Sequence, residues 1–423
     1  MRKVFQTTDE GNFFFGYYDK SPLNISNDKL LACKSNFIDR LPDQNEVLTI
    51  GYFEWKTSTK FIKLGHTRAW NWQQGCMLQW LGPDFDKKII YNDRIDDKFV
   101  TVICDIRTLK KTVLPIAYYT VSSNGDFALS IDFERHAWFR PGYSYQGIKN
   151  VKKNVPFLGN DGIWKINFKE KSYKQIITLE HMVGINRLSN MKGSTHYLEH
   201  LMISPGNEKF AFLHRWKTED GGIYARLYTS DTNGENITLI NDTGRVSHFC
   251  WRDNDEIVCW GAIKNPFNAL RKYKNITKYF FKPLMPLYKK FAGGNSVDGN
   301  SRVSALVSGD SYLSIKNSSS KTKRLLPNLL KKDGHPSFSK TNKDILVTDT
   351  YPDLSKSCKQ NLLICDINSG ELKTIDTLSH TKSLARGASR CDLHPKWSHD
   401  GNYICIDTLD NGYRSMYLYQ IFK

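Results

Sequence analysis

The sequence predicts an all-β fold, a seven-bladed β-propeller with a basic, partly helical insertion in blade five. Three observations carry this expectation: one short grammar recurs seven times, its spacing suits four-stranded blades, and an aromatic content of 13 % favours strands over helical bundles. At 423 residues the chain exceeds one ordinary hydrophobic core, so it must divide into domains or repeat a small unit around an axis. The repeat selects the second course, a single domain over 1–423.

Each unit has a short apolar strand, a turn near Ser-Pro-x-Gly or Asp-Gly, and a second strand rich in Ile, Leu, Val and Phe. The first two pair Asp19-Lys20-Ser21-Pro22 with Leu30–Cys33, and Leu81-Gly82-Pro83-Asp84 with Ile89–Tyr91. The third and fourth pair Ser122-Ser123-Asn124-Gly125 with Phe127–Ser130, and Ser204-Pro205-Gly206-Asn207 with Phe210–Leu213. The last three turns are Trp251–Asp255, Phe338–Asn342 and Trp397–Gly401, leading to Ile257–Cys259, Ile345–Val347 and Tyr403–Ile406. Successive turns lie roughly 40 to 90 residues apart, the long spacings implying insertions. The last unit offers only three clear strands, so Val4-Phe5-Gln6-Thr7 is expected to supply its outer strand and close the ring, which removes sheet edges.

One stretch, 262–332, breaks the pattern. Its segment 265–290 is dense in lysine and aromatics with no Asp or Glu, a basic amphipathic composition that fits either contact with an anionic membrane surface or polymer, or a flap packed on a neighbouring blade. The formal charge of +17 likewise points to an anionic partner or to a simple lysine bias. Nine scattered cysteines with no CxxC pair exclude a zinc knuckle and a disulfide framework, and Cys259 and Cys405 read as small core residues. No segment resembles a signal peptide or a membrane span, so the expected location is cytoplasmic, with the option of a peripheral site on the inner face of the membrane.

The repeat also converts sequence offsets into spatial neighbours, because every inner strand begins at the same mouth of the channel. The equivalent position before each turn is occupied by Tyr17, Met77, Tyr118, His200, His248, His335 and His394. Four of only 11 histidines thus fall on four consecutive blades. Clustered imidazoles can bind a divalent metal, donate to an anionic substrate or act as a general base, whereas a lone one is more often structural. The same mouth collects Arg94 from a second strand and Arg68, Gln74, Arg245 and Arg390 from the segments entering inner strands. These residues either form a basic, sugar-sized pocket or pair with carboxylates between blades. Asp392, two residues before His394, is within reach of a metal there.

The chain lacks a P-loop, GxGxxG, GxSxG and HExxH, and no nucleic-acid module is present. The segments His335-Pro336-Ser337-Phe338-Ser339, His394-Pro395-Lys396-Trp397-Ser398-His399-Asp400-Gly401 and His200–Pro205 with Phe212–Trp216 resemble the propellers of oligogalacturonate lyase and related polysaccharide lyases. The resemblance implies β-elimination of uronate-containing oligo- or polysaccharides with a divalent, manganese-like metal. It further implies His248, His335 and His394 as metal ligands, His200 as the proton-abstracting base and Arg215 as a substrate clamp. The glutamine ligand of that family has no counterpart in the blade of His394, where Asp392 or Arg390 stands.

Elimination requires the uronate C5 proton to be acidified by a cation on the carboxylate, after which a neutral histidine or tyrosine takes it. Tyr17, Tyr118 and His200 are the candidates. Two functions therefore stand side by side: a carbohydrate lyase, or a non-catalytic propeller that binds an anionic glycan or a protein partner in surface polysaccharide assembly at the membrane.

Overall fold

The computed structural model describes residues 1–8, 10–148, 155–156, 159–263, 310–354 and 357–422. They form seven four-stranded antiparallel sheets, each a blade of the propeller. Blade one consists, from the axis outward, of Asn12–Phe14, Leu30–Ser35, Leu48–Phe53 and Phe61–Thr67. The inner strands of blades two to seven are Gln79–Trp80, Thr120–Val121, Thr195–Ile203, Val246–Trp251, Ser337–Phe338 and Lys396–Trp397. All seven turns of the repeat lie between the first and second strands of a blade.

The aromatic residue before the turn has a physical reason. The Trp80 indole donates to Pro22 O of blade one at 2.9 Å, Trp251 to Met202 O of blade four at 2.9 Å, and Trp397 to Ser337 O of blade six at 3.0 Å. Each large ring fills the wedge between two blades while its N–H satisfies a carbonyl of the preceding one. All nine cysteines are buried and unpaired, in keeping with their reading as core residues.

The N-terminal strand Arg2–Gln6 joins blade seven, pairing antiparallel with Ser415–Gln420, Arg2 opposite Gln420 and Gln6 opposite Tyr417. Phe5 projects into the seam with blade one, its ring 5.6 Å from Phe53 and 6.2 Å from Trp55. The ring therefore closes as its sequence suggests.

Segment 265–290 lies outside the described residues. The described remainder of 262–332 contains Ser311–Lys316 and Thr322–Arg324, the third and fourth strands of blade five. Among the described residues, α-helix is confined to Phe133–Phe139 and Leu179–Gly184. Asp132 caps the first of these by accepting from Arg135 N at 2.9 Å, and Glu134 places negative charge in its first turn. This helix joins the second and third strands of blade three, and so lies at the end of the channel where inner strands begin. No helix among the described residues is long and apolar enough to cross a membrane.

Candidate metal centre

Three of the four repeat-positioned histidines form an edge-sharing row. The rings of His248 and His335 are 4.3 Å apart, those of His335 and His394 4.2 Å, and His200 lies 6.4 Å from His248. Two of the four, His200 and His394, adopt left-handed φ values of 55° and 45°. The sharp bend at His200 coincides with a bulge between Glu199 and Met202.

Asp349, at the end of the second strand of blade six, ties two of them together. Its carboxylate accepts from His335 N at 2.7 Å, from His335 Nδ1 at 2.9 Å and from His394 N at 3.1 Å. With Nδ1 engaged, His335 turns Nε2 toward the channel. That atom, His394 Nε2 and Asp392 Oδ2 are all buried without a hydrogen-bond partner. His335, Asp392 and His394 can each place one ligand atom within 4.8 Å of the others. Two imidazole nitrogens and a carboxylate oxygen suit a divalent first-row cation, and carboxylate-oriented histidine is the usual outer support of such a site. Among the described residues these atoms have no hydrogen-bond partner, so His335, Asp392 and His394 fit a divalent metal, with Asp392 in place of the expected His248.

Electrostatics sharpen the differences between these groups. Burial raises the Asp392 carboxyl, but Arg390, bonded to it at 2.7 Å, and His335 bring it below the usual carboxylate range. Burial disfavours the imidazolium at His335, yet Asp349 outweighs it and the pKa is raised. His394 is held well below 6.5 by burial and by the neighbouring His335 and Lys396. His248 stands outside the three-ligand group: its Nδ1 bonds Asp333 at 3.1 Å and its Nε2 faces the Tyr351 hydroxyl at 3.4 Å.

His200 is bonded at Nε2 to the Tyr17 hydroxyl, and its Nδ1 is 3.5 Å from Glu199 Oε1. Burial pushes its pKa down to about 4, leaving the ring neutral at pH 7. Glu199 is fully enclosed and receives Arg215, His136 at 3.0 Å and Arg140 at 3.7 Å. Although burial alone would raise its pKa, Arg215 and Arg140 hold it well below the ordinary value.

Tyr17 reaches the cluster because Gly16, at φ +120°, lets the chain turn against blade two. A Cβ there would sit 2.6 Å from the Gln74 carbonyl carbon. Asp407 fixes the turn by accepting Phe15 N at 3.0 Å and Gly16 N at 2.9 Å, with buried Lys396 as its counter-ion at 3.0 Å.

The other expected site residues divide. Arg390 reaches the cluster through Asp392, and its guanidinium lies 4.7 Å from the Tyr351 ring centre. Arg215 reaches it through Glu199. Arg245 is paired with Asp310 beside Asp333, Arg94 binds the carbonyls of Gln44 and Gln146, and Arg68 is exposed with its amide on Asp93. Those three meet none of the histidines in a described contact. Tyr118 is likewise turned away: its hydroxyl is bound to Met77 O and receives Gln79 Nε2 at 3.0 Å. Its neighbour Tyr119 takes the inward position, bonded to Gln74 Nε2 at 2.7 Å and close to His200 and Glu199. A shift of one residue along a strand exchanges the two faces.

Sequence reasoning did not select His136 and Arg140, because they come from the helix Phe133–Phe139 and its cap rather than from the repeat. Asp333, also unselected, precedes the repeat position of blade six by two residues, the offset that Asp392 has from His394.

No protein-family model and no curated protein sequence matches the chain. Among solved structures, an oligogalacturonate lyase in complex with manganese superposes with a TM-score of 0.60 at 14 % identity, over 100 % of this chain and 99 % of that one. An oligogalacturonate lyase from Vibrio parahaemolyticus superposes with a TM-score of 0.58 at 10 % identity, over 100 % of this chain and 93 % of the other. A prolyl endopeptidase structure reaches a TM-score of 0.50 at 8 % identity, over 98 % of this chain but only 50 % of its own. At these identities the likeness is one of fold: the chain is a seven-bladed β-propeller whose whole length superposes on oligogalacturonate lyases.

Proposed function

We propose that this protein is a lyase that cleaves uronate-containing oligosaccharides by β-elimination at the histidine mouth of its channel. The observation that carries the reading is the convergence of three buried, unpartnered ligand atoms, on His335, Asp392 and His394, beside the neutral His200–Tyr17 pair. A divalent cation held by those three residues would neutralise the uronate carboxylate and so acidify the C5 proton.

The chain's own groups account for the proton. Tyr17 Oη receives it from C5 as the phenolic proton passes to His200 Nε2, and Glu199 faces the imidazolium at Nδ1. The C5–H electrons form the C4–C5 double bond, the C4–O4 bond breaks, Tyr17 passes the C5 proton to the departing oxygen, and His200 Nε2 returns the phenolic proton to Tyr17. Arg215 and Arg390 are themselves partly exposed beside fully buried carboxylate partners, and in this reading they orient the anionic uronate.

The test combines metal content with turnover. Elemental analysis of the purified protein is expected to give stoichiometric divalent metal, lost in His335→Ala and His394→Ala. Oligogalacturonides are expected to yield the absorbance of an unsaturated product, reduced about 100-fold or more in His200→Ala. Metal-free protein after metal-replete preparation, or no new absorbance with any uronate oligomer, defeats the reading.

A second reading, a non-catalytic propeller for an acidic glycan, is favoured by a groove of about 1050 Å3 lined by Lys88, Lys165, Lys169, Lys171 and Lys174. The first reading takes an acidic oligo- or polysaccharide as partner and the second an anionic glycan or a protein, and both place the protein in the cytoplasm. The basic segment 265–290 supplies any contact with the inner face of the membrane.

A further inference from the structure

The groups assigned to the chemistry are shut away from solvent. His335, His394, Asp392 and Tyr17 expose 1 %, 2 %, 3 % and 3 % of their surfaces, although they stand at a mouth of the channel. On the inner side lies Tyr18, its ring 5.4 Å from that of His335. A side cavity of about 180 Å3 between blades four and five reaches Arg215 and Asp333, but none of the three metal-ligand candidates lines it. A substrate therefore meets the cluster only when part of its cover moves.

That cover includes an arch, 140–146, which continues from the helix Phe133–Phe139 of blade three. Both its feet are fixed. At one, Arg140 N donates to His136 O at 2.8 Å. At the other, Ser144 Oγ donates to Phe133 O at 2.7 Å, the Tyr145 ring stacks on Phe133 at 4.7 Å, and Gln146 O accepts Arg94 Nη1 at 3.1 Å. The tip between them, Pro141-Gly142-Tyr143, crosses to the segment that enters blade seven. Gly142 rests there on Ala388, so closely that a Cβ on the glycine would lie 2.0 Å from the alanine Cβ. Blades one and two separate blade three from blade seven in the ring, so this contact spans the mouth. Tyr143 is close enough to Tyr17, Tyr351 and Arg390 to act on the charge of each, which places it at the centre of the opening.

The landing is held firmly, since Gln73 Nε2 donates to Ala388 O at 3.1 Å and to Arg390 O at 3.0 Å. The tip is not bonded to it. Among the described residues no hydrogen bond or ion pair joins 141–143 to blade seven, and the seam is one apolar contact.

We infer that 140–146 is a strap that gates the histidine chamber: seated on Ala388 it closes the mouth, and lifted on its two feet it admits a ligand. A seam of one apolar contact opens readily, while anchored feet return the segment to the same place. The inference takes from the proposed function only that a ligand must reach His335, Asp392 and His394.

The experiment uses the full chain carrying Gly142→Cys and Ala388→Cys, positions near enough for a disulfide to fix the strap shut. The protein is dialysed against EDTA before oxidation, so that bound metal does not shield the rings. Diethylpyrocarbonate then modifies the histidines, and peptide mass mapping gives the rate at each, with exposed His66 of blade one as reference. In the oxidised protein the modification of His335 and His394 is expected to slow about 10-fold or more relative to the same protein reduced, with His66 unchanged. Gly142→Val, which cannot seat on Ala388, is expected to speed it. The reagent needs neither metal nor sugar, so the strap and the lyase reading stand or fall separately. Failure of the bridge to form, equal rates in the oxidised and reduced proteins, or no acceleration in Gly142→Val overturns the inference.

Discussion

Glu199 concentrates more charge chemistry than any other single side chain of the site. Removing its charge in Glu199→Gln leaves Arg215 and Arg140 without their counter-ion, and a loss of about 3 to 5 kcal/mol is expected from urea denaturation at pH 7. Its pH dependence has a definite sign. The folded carboxyl titrates well below its ordinary 4.5, so the stability it contributes is complete above that value and is lost as pH falls below it. His196 and His200, both lowered to about 4, act in the same direction over a higher window. The unfolded chain binds their protons near 6.5 while the folded one does not, so stability declines as pH falls from 6.5 toward 4. Denaturation midpoints measured across that interval are expected to slope downward, and less steeply in His196→Gln. At this scale the sequence was a partial guide. His335 and His394 were legible because the repeat fixes their position, whereas Tyr118 was not separable from Tyr119, since only the strand's face distinguishes them.

The repeat grammar located the second strand of every blade, and the missing fourth strand of blade seven was legible as a deficit that Arg2–Gln6 fills. What the grammar did not reveal were elements outside it. The helix Phe133–Phe139 supplies His136, and its cap supplies Arg140, from a connection with no helical counterpart among the described residues of the other blades. Ser311–Lys316 follows a long basic stretch that hides its short apolar alternation. The closing strand allows a direct test: Phe5→Ala empties the seam between blades one and seven and is expected to cost about 3 to 5 kcal/mol, read as a lowered thermal midpoint. Deleting the strand would also expose the edge Ser415–Gln420, so self-association by light scattering is expected to accompany it.

Across the whole molecule, the excess of positive charge acts over distances longer than any one contact. Association with an acidic oligosaccharide is expected to weaken as salt rises from 50 mM to 500 mM, since the screening length shrinks from roughly 14 Å to about 4 Å; binding indifferent to salt would argue that the +17 plays no part in capture. Tyr18 reaches from blade one to blade five, where its hydroxyl donates to Phe249 O at 2.9 Å and accepts from Phe249 N at 3.2 Å. Under the proposed lyase reading, a side chain fixed across the channel in this way would keep a polymer from being threaded past the histidines, so that only a chain end or a short oligomer would reach them. Fragments released there would have to leave by the opening that admits substrate, and would compete with it for that opening.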